Sequence, residues 1–164
     1  MKTRKNGNET GRDPGDKTGT KGEQPGHFVR LFKPQFAALV EAGTKTQTVR
    51  PTPKRMPKAG DRISLRCWIG KPYRSKQRVI REAIVRAVAQ FEIHYATPDQ
   101  MTWCEMSLNG EVLDSVGAFA FAMADGFENI EKMAEWFRVE HGLPFQGVVI
   151  YWVNNKASQP HDTP

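Results

Sequence analysis

The stretch AGTKTQTVRP, Ala42 to Pro51, places Lys45, Thr46, Thr48 and Arg50 within six residues, with Val49 as the one apolar residue among them. Two cations with hydroxyls between them suit an anionic partner. Lys45 and Arg50 can contact phosphate, while Thr46 or Thr48 can bond to a sugar or a base edge. A second group lies downstream in DRISLRCW. Alternation puts Ile63, Leu65 and Cys67 on one face, and Arg62, Ser64, Arg66 and Trp68 on the other. Two arginines and a tryptophan on one face suit phosphates and base stacking. The basic loop IGKPYRSKQ then centres on Tyr73, a second stacking candidate. Plainer roles exist for each. Lys45 and Arg50 can pair with acids elsewhere, Thr46 and Thr48 can be ordinary strand residues, and Trp68 can sit half-covered on an outer face.

Charge favours the polyanion. From Lys45 to Arg86 there are thirteen Lys or Arg against Asp61 and Glu82, a net +11. From Ala87 to Pro164 three bases face eleven acids, a net −8, and the first 44 residues carry +3. A basic block of this density is the footprint of a polyanion partner. The alternative is a solvated surface neutralised by the acidic half across the fold. Cys67 and Cys104 make no disulfide framework, and His27, His94, His141 and His161 have no metal-ligand spacing. Neither a metal nor a cofactor is expected.

The elements that must position these residues are legible in outline. Residues 1–26 hold Met1 as their one sizeable apolar side chain, so this segment reads as a disordered polar tail. Residues 155–164 read the same way, leaving 27–154 as one domain. No apolar run suggests a membrane span or a signal peptide, which points to a soluble, cytoplasmic protein. Phe28 to Phe32 is a short strand candidate. In KPQFAALVEAG, Pro34 suits the first helical position and Gly43 the left-handed residue past the end. The opening stretch itself is too polar for a buried strand and too rich in β-branched residues for a good helix. Arg78 to His94 reads as a long, bent strand. Asn109-Gly110 signals a two-residue hairpin after a strand over Met101 to Leu108. Asp114 or Ser115 can cap a short helix. A second helix carries Ile130, Met133 and Phe137 on its core face, with Trp136 and Phe137 read as core. Val148 to Val153 closes the fold as an apolar strand. The order predicts an α+β domain, a small mixed β-barrel with flanking helices.

Three blocks give this order a resemblance. The helix followed by GTKTQTVRP, the GDRISL strand after a proline-rich loop, and ADGFENIEKMAEWF ahead of GVVIYW together resemble the ASCH domain, a branch of the PUA-like superfamily. The resemblance spans about Phe28 to Val153. It implies a PUA-like barrel with a cleft beside the helix that precedes the Lys-Thr string. It also implies binding of RNA, DNA or modified nucleobases. One ASCH branch hydrolyses N4-acetylcytidine, using a lysine and a threonine of this string with a distal glutamate; others are linked to ribonuclease activity. Carried over, the lysine is Lys45, the threonine Thr48 and the string's arginine Arg50. The distal acid falls on Asp125, one methylene shorter than glutamate.

Binding is the first reading, with Lys45, Thr46, Thr48, Arg50, Arg62, Arg66, Trp68 and Tyr73 as contacts. Hydrolysis is the alternative, with Lys45, Thr48 and Asp125 as the reacting set. A lysine in a dry cleft can act as a base, Thr48 can attack, and Asp125 can hold the lysine. A protein-interaction module is a third reading, and Asp125 can also be only a turn residue before Gly126. One geometric condition stands out. Lys45 and Thr48 are three positions apart and point to opposite faces of a regular strand. They converge only if the chain turns after Gly43, before strand pairing begins.

Overall fold

The structure, a computed structural model, describes residues 24–97 and 100–154. The tail expected at 155–164, and all but the last three residues of the one at 1–26, lie outside them. Gly26 is already part of the fold, because its buried N–H donates to Asp61 Oδ1 at 2.6 Å and its carbonyl accepts from Arg62 N at 2.8 Å.

The chain runs β1 (His27–Phe32), α1 (Pro34–Ala42), β2 (Gln47–Arg50), β3 (Arg62–Trp68), β4 (Gln77–Thr97), β5 (Gln100–Leu108), β6 (Glu111–Val112), α2 (Ser115–Ala124), α3 (Ile130–Glu140) and β7 (Phe145–Asn154). This is an α+β fold with one seven-stranded sheet. The long strand β4 is its spine. One edge of β4 carries β3 along its first part and β5 along its last, and β7 pairs with the other edge from Ala83 to Ile93. The bend expected in β4 is a bulge, where the register against β7 slips between Val85 and Ala87. β2 pairs with β7 and β1 runs parallel to β3.

The sheet does not close into the expected barrel. Among the described residues no ladder joins β1 to β2. A side chain crosses instead, with Arg50 Nη2 donating to the carbonyl of Leu31 at 2.8 Å. β2 also departs from expectation, since Gln47, Thr48 and Val49 are all buried. Polar side chains can be buried where partners await them, and Gln47 Nε2 finds the carbonyl of Phe121 at 3.2 Å. Ser64 is likewise buried rather than on the outer face. It donates to Glu82 at 2.6 Å and accepts from Arg66 at 2.8 Å, beside a register shift between Leu65 and Arg66.

Local signals behave as their chemistry dictates elsewhere. Gly43 takes φ 79° past α1, and Asn109 and Gly110 take φ 51° and 83°, as a two-residue hairpin needs. Asp114 and Asn129 cap α2 and α3 through the N–H groups of Gly117 and Lys132. The core gathers Phe91, Phe121, Phe137 and Phe145 between the sheet and these two helices, with Val40, Leu65 and Ile150 buried nearby. Cys67 is buried as a small hydrophobe. No helix among the described residues is long and apolar enough to cross a membrane.

β2 lies close enough on β7 to exclude a side chain. A Cβ on Gly147 would run into the backbone oxygen of Arg50 and come within 2.9 Å of the Phe145 ring. Gly147→Ala is expected to destabilise the fold by about 1–3 kcal/mol, read as a lower urea midpoint at constant slope. An unchanged midpoint would mean that β2 can move aside freely.

Candidate functional site

The string around Lys45 is shaped by two helix ends. At the end of α1, the N–H groups of Gly43, Thr44 and Lys45 turn back onto the carbonyls of Val40 and Leu39 at 3.0–3.2 Å. The chain therefore turns before β2 begins at Gln47. That meets the condition for convergence, because Lys45 precedes the ladder and escapes its alternation.

The second end is that of α2. The N–H groups of Asp125, Gly126 and Phe127 turn back onto the carbonyls of Phe121, Met123 and Ala122, and α2 has no basic residue in its last turn. The string supplies further donors. Thr46 N donates to Ala124 O at 3.1 Å, Gln47 Nε2 to Phe121 O, and Lys45 Nζ to the carbonyl of Asp125. A cation here also complements the helix dipole. Lys45 Nζ lies 3.1 Å from Asp125 Oδ2, while Asp125 Oδ1 accepts from Val49 N at 3.2 Å. Asp125 is thus more than a turn residue: it ends α2 and anchors β2. Gly126 follows at φ 93°, and a Cβ there would sit 3.0 Å from Leu39 and 3.3 Å from Lys45.

Lys45 and Asp125 are only 2% and 4% exposed. Burial pushes Lys45 below the ordinary lysine range and Asp125 above the ordinary aspartate range, while the charge of each partner acts the other way. The two titrate as a unit. Burial also lowers the pKa of Arg50, with Asp125 opposing it. The Nε of Arg50 is buried without a hydrogen-bond partner.

These groups surround a pocket of about 160 Å³. Lys45, Thr48, Arg50 and Asp125 line it together with Phe32, Phe36, Phe127 and Trp136. Phe36, Phe127 and Trp136 form a trio with centroids 5.3–5.9 Å apart. Lys45 Nζ lies 4.9 Å from the Phe36 centroid, and the Arg50 guanidinium 5.2 Å from that of Phe32, both within cation–π range. At the rim, Lys33 and Glu140 pair at 2.6 Å, and His141 completes the lining.

The structure thus brings Lys45, Thr48, Arg50 and Asp125 to one place. The plainer role of Lys45 is present too, since its partner Asp125 belongs to the acidic half. The other sequence candidates lie elsewhere. Thr46 is exposed, and its backbone rather than its hydroxyl is engaged by Ala124 and Trp152. Arg62, Arg66, Trp68 and Tyr73 do not line the pocket. Arg62 opens β3, Arg66 bonds to Ser64, and Trp68 meets Tyr73 at 5.4 Å at the tip of the β3–β4 hairpin. The aromatic wall escaped sequence reasoning. Trp136 is half-buried and lines the pocket, although helical spacing reads it as core. Phe127, next to the Asp-Gly break, carried the nearest thing to a signal. Among the described residues no group of three His, Cys, Asp or Glu is placed to hold a metal.

Removing one member of the buried pair should cost far more than removing both. Lys45→Met is expected to lose about 3–5 kcal/mol, because Asp125 stays buried without its partner; Lys45→Met/Asp125→Leu should lose less. The pH dependence has a definite sign. A buried carboxyl with a raised pKa adds stability below its unfolded value, about 3.9, and loses it as pH rises through the folded value. The Lys45→Met penalty, measured against the double variant by urea denaturation, should therefore be smaller at about pH 4 than at about pH 8. Equal penalties would contradict this account. No family model, curated protein or solved structure matches the chain.

Proposed function

We propose that this protein binds a single nucleobase, modified pyrimidines included, in the Lys45 pocket, as the ASCH resemblance implies. The observation that carries the reading is the convergence of buried Lys45, Thr48 and Asp125 on one small aromatic-walled pocket. A mostly apolar cavity with a few fixed polar groups is the usual form of a small-ligand site. Phe36, Phe127 and Trp136 offer ring faces and edges to a planar base. Lys45 and Arg50 can donate to a base carbonyl, Asp125 can accept from an exocyclic amine, and Thr48 can do either. At low local dielectric such bonds discriminate strongly, since a ligand lacking the matching group leaves a buried partner unmet. RNA, DNA and free nucleosides all carry this edge, and a cytoplasmic location gives access to each. The PUA-like reading of the fold belongs to the same proposal. It is supported by Arg50 bridging β2 to β1, the two strands a closed barrel would join.

Hydrolysis is the second reading, favoured by the same three residues sharing one pocket. Lys45, its pKa lowered by burial, would take the proton of the attacking Thr48 hydroxyl or water. As the nucleophile adds to the acyl carbon of N4-acetylcytidine, the C–N4 bond would break and that proton would pass to N4. An acetyl-threonine, where formed, would be hydrolysed by water. The products would be acetate and cytidine.

Calorimetric titration with cytidine and N4-acetylcytidine is expected to show saturable binding. Thr48→Val should weaken it by about three- to tenfold through one lost hydrogen bond, and Trp136→Leu by at least about fivefold through lost stacking. Absence of binding for both nucleosides would overturn the proposal. Acetate release from N4-acetylcytidine, lost in Thr48→Val, would add the hydrolytic reading; binding without release would limit the site to recognition.

A further inference from the structure

The hairpin that joins β3 to β4 plays no part in the pocket, yet it is built as a display. From Arg66 to Arg78 the chain carries five cations and no acid. Lys71, Arg74 and Lys76 are exposed. The loop is held in one shape by its own bonds. Ser75 Oγ donates to Lys71 O at 2.9 Å and accepts from Gly70 N at 3.0 Å, and Ile69 N donates to Lys76 O at 3.0 Å. At its apex Tyr73 is 89% exposed and takes φ 61°, a left-handed backbone that costs a non-glycine residue energy. Its ring leans on Trp68 at 5.4 Å with 51° between the planes. Thus the loop is internally braced, and it presents a strained tyrosine, propped by a tryptophan, among three cations that make no ion pair among the described residues.

The hairpin also stands beside the pocket. In the parallel β1–β3 ladder, Phe32 of the pocket wall faces Cys67, and Trp68 is the next residue. Neighbouring strands lie about 4.8 Å apart. Arg78 pairs with Glu41 at 2.9 Å, and Arg81 donates to the carbonyl of Glu41 at 2.8 Å. Both contacts tie the hairpin stem to α1, the helix whose Phe36 lines the pocket.

We infer that the β3–β4 hairpin is a docking surface for single-stranded nucleic acid, so that the ligand of the pocket is a base within a strand rather than a free nucleoside. This rests on the proposed nucleobase site and names its substrate class. Lys71, Arg74 and Lys76 hold phosphates flanking the captured base, and Tyr73 with Trp68 stacks a neighbouring base. A duplex offers phosphates but keeps its bases stacked on one another, so it presents no base to Tyr73 or to the pocket.

The test uses the full chain and a fluorescent, cytidine-rich strand of about 12 nucleotides, as RNA and as DNA, followed by anisotropy across a salt series. Lys71→Ala/Arg74→Ala/Lys76→Ala should weaken strand binding at least about tenfold and flatten the salt slope by about two, at about 0.7 per lost phosphate contact. Tyr73→Ala should weaken it at least about fivefold with little change in slope. Cytidine binding measured by calorimetry should stay at the wild-type level in both variants. Preference for RNA or for DNA identifies the strand, and either supports the inference. Wild-type affinity for the strand in both variants would overturn it, as would equal affinity for a duplex of the same sequence. Nucleoside binding with no strand binding would overturn it while leaving the pocket reading intact. Hairpin-dependent strand binding without nucleoside binding would support the docking surface and overturn the pocket.

Discussion

The structure depends on how the end of α2 is satisfied. A helix end buried beneath other elements leaves carbonyl groups that need donors; the N–H groups of Asp125, Gly126 and Phe127 turn back onto Phe121, Met123 and Ala122, and further donors come from outside the helix. The string after α1 brings them: a backbone N–H from Thr46, an amide from Gln47 and the ammonium of Lys45. Burying that ammonium requires a counter-charge, and Asp125 provides it at 3.1 Å. The same carboxylate accepts from Val49 N, within the stretch of β2 that pairs with β7. One buried ion pair thus joins α1, α2 and the β2–β7 ladder.

The pocket is a consequence of that junction. Lys45 and Asp125 sit at its floor with Thr48, because capping α2 draws them inward together. The rings of Phe36, Phe127 and Trp136 close the sides and keep the local dielectric low. On the proposed reading, the polar groups are structural and recognitive at once. Lys45 already serves the helix end and Asp125, so a ligand would meet groups whose orientation is fixed beforehand, at little ordering cost. The hairpin differs in kind. Its stem is clamped to α1 through Glu41, but its cations and Tyr73 face solvent, where long-range charge can act on an approaching strand.

What could be read from the sequence follows a physical division. Signals that depend on nearest neighbours were legible: Gly43 past α1, the Asn109-Gly110 turn, the Asp114 cap and the length of β4. So was the need for a turn between Gly43 and Gln47, because strand alternation alone forbids Lys45 and Thr48 from meeting. Burial of Gln47 and Thr48 was not legible, since their partner Phe121 O, or the elements that cover them, lie more than seventy residues away or across the fold. The buried Ser64 depended in the same way on Glu82, and on a register shift that no local pattern announces. The aromatic wall stayed hidden because a pocket ring and a core ring have the same helical spacing. Barrel closure was expected from element order, but pairing of β1 with β2 is a property of the assembled sheet, where Arg50 spans the two strands instead. The Arg62–Trp68 face and Tyr73 were read as one site with Lys45; the fold separates them into a pocket and a hairpin.

The central claim is that the buried Lys45–Asp125 pair forms the floor of a base-binding pocket. Chemical-shift mapping of the isotope-labelled full chain during addition of N4-acetylcytidine tests it most directly, with the Lys45 side-chain ammonium and the Trp136 indole N–H as reporters. The account predicts saturating shifts centred on Lys45, Thr48, Asp125 and Trp136, and no shifts of comparable size at Tyr73 for the free nucleoside. Shifts absent from these residues, or concentrated on another surface while the ligand saturates, would contradict it.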